Sequence, residues 1–418
     1  MFRKTQLENG LRIVTEEVPS FHTVTLGFHV AVGSRFEEEH EAGYSHFIEH
    51  MLFKGTRRRT PSQIAREIEA VGGILNAFTA REYTSYYCKV LYENFEESVD
   101  LLTDIFVNST FDPEELERER EVVKEEIRMV DDNPEDRVVE LFYRHMFPSH
   151  SLGRSILGSV ESLDALTRDS MLAYKEKHYR PNNIVIAAAG RVDHDRLVEL
   201  VARAFSGMNG SAVREMSVPP MTTPDAHLHH RATEQSHISI GTTTYAYDDP
   251  RRIPLLVLNT ELGGAMGSRL FQRVREQCGL AYDVGSHACS FLDTGVLEIF
   301  LGTAQKNVSQ AVDLCMNEVD KLRRNPLTTP EVEAVKRQLK GSLLMSLESS
   351  DSRMGRMARN EIYLNRFVSV TDLIEQIDEV TADAVQAVSD DILNPDRMML
   401  TLLGDGDNSQ LSRQFTPT

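Results

Sequence analysis

A short segment with two histidines and a glutamate, residues 43–56 (GYSHFIEHMLFKGT), constrains this chain more than any other stretch. Its pattern is typical of the first turns of a helix, with Ser45 placed to cap it. At 100° per residue, His46, Glu49 and His50 fall within an arc of roughly 100° on one helix face. Imidazoles at positions i and i+4 can bind one metal ion, and the carboxylate between them then lies beside it, where it can act on a water molecule. The segment therefore predicts a metal-binding helix.

A glutamate-rich run downstream can supply a further donor. Residues 114–127 have a strongly helical pattern that opens after Asp112-Pro113. Glu119 and Glu126 are seven residues apart, which is two helical turns, and they share one helix face. Because many glutamates surround them, spacing alone does not select a metal ligand, and a solvated surface glutamate remains the alternative for Glu126.

The H-x-x-E-H segment at residues 46–50, with Glu126 76 positions beyond it, resembles the pitrilysin-like M16 family of zinc peptidases, the inverzincins. That family includes insulin-degrading enzyme, the catalytic subunit of the mitochondrial processing peptidase and bacterial members that resemble processing proteases. The resemblance implies one Zn²⁺ per chain. The zinc ligands that it implies are His46, His50 and Glu126. It further implies that Glu49 is the catalytic base and that Glu119 is a carboxylate supporting the ligands.

The composition limits the classes of protein and the kinds of partner that are compatible with this chain. The 418 residues contain 45 Lys+Arg against 64 Asp+Glu, a net charge of −19, which argues against a nucleic-acid partner. No run of about 18 apolar residues occurs, so we expect no membrane partner. The N-terminus (MFRKTQL) lacks the apolar core of a signal peptide. The cysteines, which form no ligand pair, are Cys88, Cys278, Cys289 and Cys315. We therefore expect a cytoplasmic protein with reduced cysteines.

Two β-rich runs, residues 74–80 and 83–90, are joined by a tight turn. In the M16 family the first run is an edge strand beside the zinc, to which the substrate adds as an extra strand. The residues that match this segment are Asn76, Ala77 and Phe78. An exposed strand edge binds any extended peptide through main-chain hydrogen bonds, with little demand on its sequence. Without the resemblance, the alternative remains that this segment is an ordinary internal strand.

The second half of the chain repeats the first. Asp112-Pro113-Glu114 corresponds to Thr329-Pro330-Glu331 at an offset of 217, and Gly190 corresponds to Gly404 at an offset of 214. A repeat of this length indicates a duplicated domain, and a Gly-, Ser- and Pro-rich stretch separates the copies. The predicted parts are an N-terminal zinc-binding catalytic domain at 1–206, a linker at 207–225 and a metal-free C-terminal domain at 226–418.

By the same resemblance, each copy is an α+β domain of the M16 type, a mostly antiparallel sheet covered by helices. No H-x-x-E-H segment occurs after residue 226. At the offset of 217, Lys336 occupies the position of Glu119, and Leu343 that of Glu126. We therefore expect the second copy to retain the scaffold without the metal.

Residues 263–282 (GGAMGSRLFQRVREQCGLAY) resemble a second signature of the family, in which an arginine and a tyrosine seven residues later reach the active site. Arg275 and Tyr282 hold these positions. The resemblance implies that Tyr282 stabilises the tetrahedral intermediate and that Arg275 anchors the substrate backbone; the alternative is a surface arginine and a buried tyrosine. The Gly263-Gly264 pair lacks the context of a phosphate loop, and we interpret it as a site of close packing.

These features predict a zinc-dependent endopeptidase that hydrolyses extended peptides or unfolded segments in a chamber between the two domains. Three protein ligands leave one position for water, as in catalytic zinc sites. The resemblance also implies a homodimer. Two other classes stay open: a non-catalytic binding or assembly subunit of the same fold, and a metal-dependent hydrolase of a non-peptide substrate. Non-catalytic relatives generally have a broken zinc motif, and here the motif is complete.

Overall fold

Six strands form the first sheet in the computed structural model, which describes residues 1–406, 410–411 and 415. The strands are β1 (Phe2–Gln6), β2 (Arg12–Glu17), β3 (Thr23–Val30), β4 (Ile74–Thr79), β5 (Thr84–Leu91) and β6 (Ile184–Gly190). Their spatial order is β1-β2-β6-β3-β5-β4, and only the β2–β6 pair is parallel. The two predicted β-rich runs joined by a tight turn are confirmed as β4 and β5, which pair as a hairpin. Among the described strands β4 has no second neighbour, so it is an edge of the sheet.

Helices cover the sheets, and no helix in the described part of the chain is long and apolar enough to cross a membrane. In chain order they are α1 (Tyr44–Leu52), α2 (Pro61–Ala70), α3 (Phe95–Asn108), α4 (Pro113–Asp132), α5 (Pro134–Met146), α6 (Val160–Ala165), α7 (Arg168–His178), α8 (His194–Ala204), α9 (Arg252–Leu262), α10 (Val308–Arg324), α11 (Thr329–Ser346), α12 (Ser350–Leu364), α13 (Val370–Asp378) and α14 (Ala382–Ile392). In the first sheet, α12 packs on β2, β3 and β6, and α3 packs on β3 and β5. The central strand β6 is buried along its whole length, as its unbroken apolar sequence indicates.

The second sheet has five strands and repeats the topology of the first without a counterpart of β1. Its strands are β7 (Asp225–His230), β8 (Gln235–Thr244), β9 (Ala281–Ser290), β10 (Gly295–Ala304) and β11 (Met399–Gly404). Their order, β7-β11-β8-β10-β9, matches β2-β6-β3-β5-β4, and the one parallel pair, β7–β11, takes the same place as β2–β6. The predicted duplication into two α+β domains with mostly antiparallel sheets is therefore confirmed.

Each of the two compact units combines separate stretches of the chain. The first unit comprises Met1–Arg128, Arg154–Met216 and Ser346–Phe367. The second unit comprises Met129–Gly153, Ser217–Met345 and the described residues of Val368–Thr418. The division after Met216 falls inside the predicted linker. Helix α5 belongs to the second unit and α12 to the first, although each comes from the other half of the sequence.

The start of α1 differs from the predicted one. The helix begins at Tyr44 after Gly43, whose φ of 91° lies in the left-handed region that glycine adopts readily. The prediction that Ser45 caps the helix is wrong: Ser45 lies inside the first turn, and its hydroxyl is 2.9 Å from that of Tyr174. The carboxylate of Glu37 instead accepts the backbone N–H groups of Gly43 and Ser45, both at 2.8 Å. A buried carboxylate from outside the helix thus satisfies its first donors.

This carboxyl group gives a prediction about stability. Burial raises the pKa of Glu37 from 4.5 to about 7, although the two N–H groups lower it. Between these pH values the folded chain holds a proton that the unfolded chain has released, so stability from this group falls as pH rises through about 7. In the wild type, the free energy of unfolding should therefore decrease by an amount on the order of 3 kcal/mol over that pH interval. Glu37→Gln should abolish this decrease. Urea unfolding at a series of pH values measures it.

The exposed neighbour Glu39 supplies the matched control, since Glu39→Gln leaves the buried carboxyl group in place. Its unfolding free energy should follow the wild-type pH profile. Parallel profiles for wild type and Glu37→Gln would contradict the account of a buried carboxyl at the start of α1.

Candidate metal centre

Three donor atoms from two helices meet in the first unit. His46 and His50 of α1 direct their Nε2 atoms toward Glu126 of α4, and each nitrogen is 3.6 Å from Glu126 Oε2. The two imidazole centroids are 4.6 Å apart, with the rings inclined at 65°. In the part of the chain that the structure describes, this is the one group of three His, Cys, Asp or Glu side chains whose donor atoms all lie within 4.8 Å of each other. Two imidazoles and one carboxylate form a donor set of catalytic zinc sites.

The packing of α1 directs these donors. Phe47, Ile48 and Met51 have no exposed surface. Burial of that face leaves the polar face turned toward α4, where the His46 and His50 side chains remain 12% and 18% exposed. The predicted spacing of i and i+4 thus becomes a pair of nitrogen donors on adjacent turns.

A second carboxylate orients one histidine. Glu119 precedes Glu126 by two turns of α4, and its Oε2 is 2.9 Å from His50 Nδ1. Its other oxygen, Oε1, is 2.6 Å from Lys54 Nζ. Because Nδ1 is engaged by Glu119, the Nε2 atom of His50 is left available to a metal. The supporting role expected for Glu119 requires such a contact with His50.

The donors fit a metal ion. Burial, and then the neighbouring His50, lowers the pKa of His46 to about 3, so its imidazole is neutral. Its Nδ1 atom is buried with no hydrogen-bond partner among the described residues. Burial also lowers the pKa of His50, but the hydrogen bond to Glu119 and the charge of Glu126 outweigh it and raise that pKa overall. A metal ion would displace the His50 proton, because imidazole binds metals in its neutral form.

Glu49 lies beside the three donors without belonging to their group. Burial raises the pKa of its carboxyl group, while a hydrogen bond from the Thr79 hydroxyl lowers it. Glu49 also lines a cavity of about 580 Å³ between α1, α2 and β4, whose apolar lining includes Phe53, Ile64 and Leu75. A carboxyl group with a raised pKa in a cleft beside a metal site is suited to proton transfer.

The predicted substrate strand lies at the open edge of the first sheet. Asn76, Ala77 and Phe78 are in β4, which is paired with β5 alone among the described strands. The Ala77 backbone N–H donates to Asn76 Oδ1 at 2.8 Å, so the asparagine side chain covers one donor of the open edge. Asn76 and Ala77 line the same cavity as Glu49, and Phe78 is 41% exposed. The edge position is as expected, and substrate binding there stays a prediction.

Arg275 and Tyr282 lie in the second unit. Arg275 belongs to a π-helical segment, Phe271–Gln277, and its guanidinium carbon is 4.6 Å from the Tyr282 ring centre. Tyr282 is 79% exposed, which rules out the alternative of a buried tyrosine and leaves its hydroxyl open to a ligand. Gly263 packs so tightly on the backbone of Ser286 that a Cβ atom would collide with it, which confirms the interpretation of close packing.

Two residues of the site were not predicted from the sequence. Lys54 lies two residues beyond the end of α1 and bonds to Glu119 of α4. Thr79 follows Ala77 by two and therefore lies on the same face of the strand. The alternation along β4 could have indicated Thr79. No periodicity marks Lys54, which follows the end of α1, or Glu37, which precedes its start.

The geometry predicts different effects for two adjacent glutamates of α4. Glu126→Gln removes a charged donor from the three-residue group, so zinc affinity should fall by more than the roughly 10- to 100-fold that loss of an outer hydrogen-bond partner costs. Glu125 is the matched control, since its exposed side chain pairs with Arg128. Glu125→Gln should bind zinc like the wild type. Competition with a chromogenic chelator measures both affinities, and the reverse order would place the ligand at Glu125.

Comparison with known proteins finds family matches over most of the chain. Residues 12–160 match the family model for Insulinase (Peptidase family M16), and residues 165–339 match that for the Peptidase M16 inactive domain. A protein of Streptomyces coelicolor described as an uncharacterized zinc protease is 40% identical over 422 residues, covering 98% of this chain and 91% of the relative. A Bacillus subtilis protein with the same description is 38% identical, covering 95% of this chain and 97% of the relative.

Solved structures share the fold. A structure described as the peptidase M16 inactive domain from Pseudomonas fluorescens superposes with a TM-score of 0.91 at 21% identity, covering 97% of this chain and 98% of that one. A protease from Helicobacter pylori gives a TM-score of 0.89 at 21% identity, covering 97% of this chain and 99% of that one. Together with the family matches and the relatives of nearly full length, these results show that the chain belongs to peptidase family M16.

Proposed function

We propose that this chain is a zinc-dependent endopeptidase acting on extended peptides or unfolded segments. One observation carries the proposal. The Nε2 atoms of His46 and His50 converge on Glu126, while Glu49, between them in sequence, stays outside that group and lines the adjoining cavity. This arrangement separates the residues that hold a metal from a carboxylate that is free to exchange a proton. The names of the Streptomyces and Bacillus relatives support zinc as the metal.

Zinc held by these side chains would polarise the scissile carbonyl and lower the pKa of a water molecule to about 7. Glu49 takes the proton of the attacking water, since its carboxylate borders both the three donors and the cavity. The protonated Glu49 then donates to the amine nitrogen as the C–N bond breaks. Burial raises its pKa above the ordinary value of a glutamate, which helps the group to hold the proton between the two steps.

The edge of β4 provides the surface on which an extended substrate would pair. Its free main-chain groups can bond to any peptide in an extended conformation, so affinity there depends little on sequence. Pairing at Ala77 requires that Asn76 release the Ala77 N–H, and the freed amide of Asn76 can then bond to the substrate backbone. The cavity of about 580 Å³ beside Glu49 can receive an apolar substrate side chain. Because this edge pairs with extended main chain, extended peptides or unfolded segments are the proposed substrates.

The base assignment gives the most direct test of activity. Glu49→Gln leaves all three donors in place, so zinc binding should be retained while cleavage falls by about 10²- to 10⁴-fold, the usual contribution of general acid–base catalysis. Cleavage of a quenched fluorescent peptide, measured beside metal analysis of the same sample, checks both. Near-wild-type cleavage, or loss of zinc, would refute the role of Glu49. A non-catalytic binding subunit would instead bind the peptide without cleaving it even in the wild-type chain.

The second half of the chain contributes a separate prediction. If the exposed hydroxyl of Tyr282 donates to the oxyanion, as the family resemblance implies, Tyr282→Phe should lower kcat by roughly 10²-fold or more. Arg275→Ala should raise KM as well, because an anchoring contact acts on bound substrate too. Steady-state kinetics measures both variants. Tyr92, which is 37% exposed and lies outside both signatures, is the control: Tyr92→Phe should keep wild-type kinetics. An unchanged kcat in Tyr282→Phe would show that the Tyr282 hydroxyl takes no part in catalysis.

A further inference from the structure

The general base proposed above accepts a hydrogen bond from a hydroxyl of the edge strand. Thr79 Oγ1 donates to Glu49 Oε2 at 2.5 Å, a short hydrogen bond between a neutral donor and a carboxylate. Thr79 is the last residue of β4, and it pairs with Thr84 of β5 at the end of the hairpin. The bond joins the metal-binding helix α1 to a strand that begins more than twenty residues later in the sequence.

The position of Thr79 on β4 places it on the strand face that lines the cavity beside Glu49. Side chains alternate along β4, so Thr79 lies on the same face as Leu75 and Ala77, and both of these line the cavity beside Glu49. The backbone of the same strand carries the open edge. One short segment therefore offers main-chain groups to an extended peptide and a hydroxyl to the carboxylate that acts on it.

We propose that Thr79 is a positioning residue, whose hydroxyl holds Oε2 of Glu49 so that the other carboxylate oxygen stays free to take the proton of the attacking water. The proposal rests on the proposed function, because it assigns no purpose to the bond unless Glu49 is the base. A carboxylate on an unrestrained side chain samples several rotamers, and a displacement of about 1 Å at a reacting group can cost 10²-fold in rate. Threonine suits this task because its branched Cβ restricts χ1, which fixes the direction of the hydroxyl.

The bond also links substrate pairing to the base. A peptide that adds to β4 is aligned by the same backbone that carries Thr79, so the register of the substrate and the orientation of Glu49 are set by one strand. We infer that loss of the hydroxyl acts on the rate of the bound substrate rather than on its affinity, because the main-chain edge remains intact.

Two substitutions separate this role from a structural one. Thr79→Val keeps the branched shape and the strand preference but removes the donor, and Thr79→Ser keeps the donor. We expect Thr79→Val to lower kcat by about 10- to 100-fold with KM changed less than about twofold, and Thr79→Ser to restore most of kcat. Zinc content and the thermal midpoint of unfolding should match the wild type in both variants. A crystal structure of metal-free Thr79→Val should show the Glu49 carboxylate displaced or in more than one rotamer.

The outcomes are separable. Full activity of Thr79→Val beside an inactive Glu49→Gln overturns the positioning role and leaves the proposed function standing. Loss of zinc or of stability in Thr79→Val, failure of serine to restore kcat, or a rise in KM at constant kcat each overturns it as well, because these mark a structural or substrate-binding residue. Normal cleavage by Glu49→Gln would instead refute the proposed function itself.

Discussion

The burial of one face of α1 is the constraint on which the site depends. A helix of nine residues is marginal by itself, so packing and not intrinsic propensity holds it. Phe47, Ile48 and Met51 are fully buried, and Glu37 ties down the first backbone donors. With that face and that end fixed, His46 and His50 have to point toward α4. Glu119 on α4, itself bonded to Lys54 just after α1, then holds His50, and Thr79 on the edge strand bonds to Glu49.

The second unit shows what the same scaffold does without a metal. Its sheet repeats the strand order of the first, and α11 takes the place of α4. Lys336 stands where the repeat places Glu119, with its side chain 5% exposed. Its ammonium is bonded to Glu333 at 2.7 Å and to the backbone oxygens of Asp378 and Val380 at 2.7 and 3.1 Å. A position that orients a histidine in one copy thus stabilises helix packing in the other, because a buried charge requires partners whichever sign it has.

The features that follow from periodicity within one segment could be predicted from the sequence, namely the histidine helix, the shared face of Glu119 and Glu126, the hairpin and the duplication. The choice of Glu126 over its neighbours could not, since glutamates recur along α4 from Glu114 to Glu126, and only the family resemblance singled it out before the distances to His46 and His50 did. Contacts between segments that are distant in sequence could not be predicted either, because no local pattern encodes them. Glu37 displaced Ser45 as the cap because a buried carboxylate can reach two backbone donors, which no local pattern encodes.

Diffraction from crystals of the zinc-loaded chain, recorded on either side of the zinc absorption edge, shows whether His46, His50 and Glu126 hold a metal while Glu49 stays outside its coordination shell. We expect one anomalous peak per chain, about 2.0–2.2 Å from the Nε2 atoms of His46 and His50 and from a carboxylate oxygen of Glu126. Glu49 should lie outside bonding distance of the zinc, with Thr79 still donating to it. A peak coordinated by Glu49 in place of Glu126, or a zinc ion bound elsewhere in the chain, would refute this assignment of the ligands.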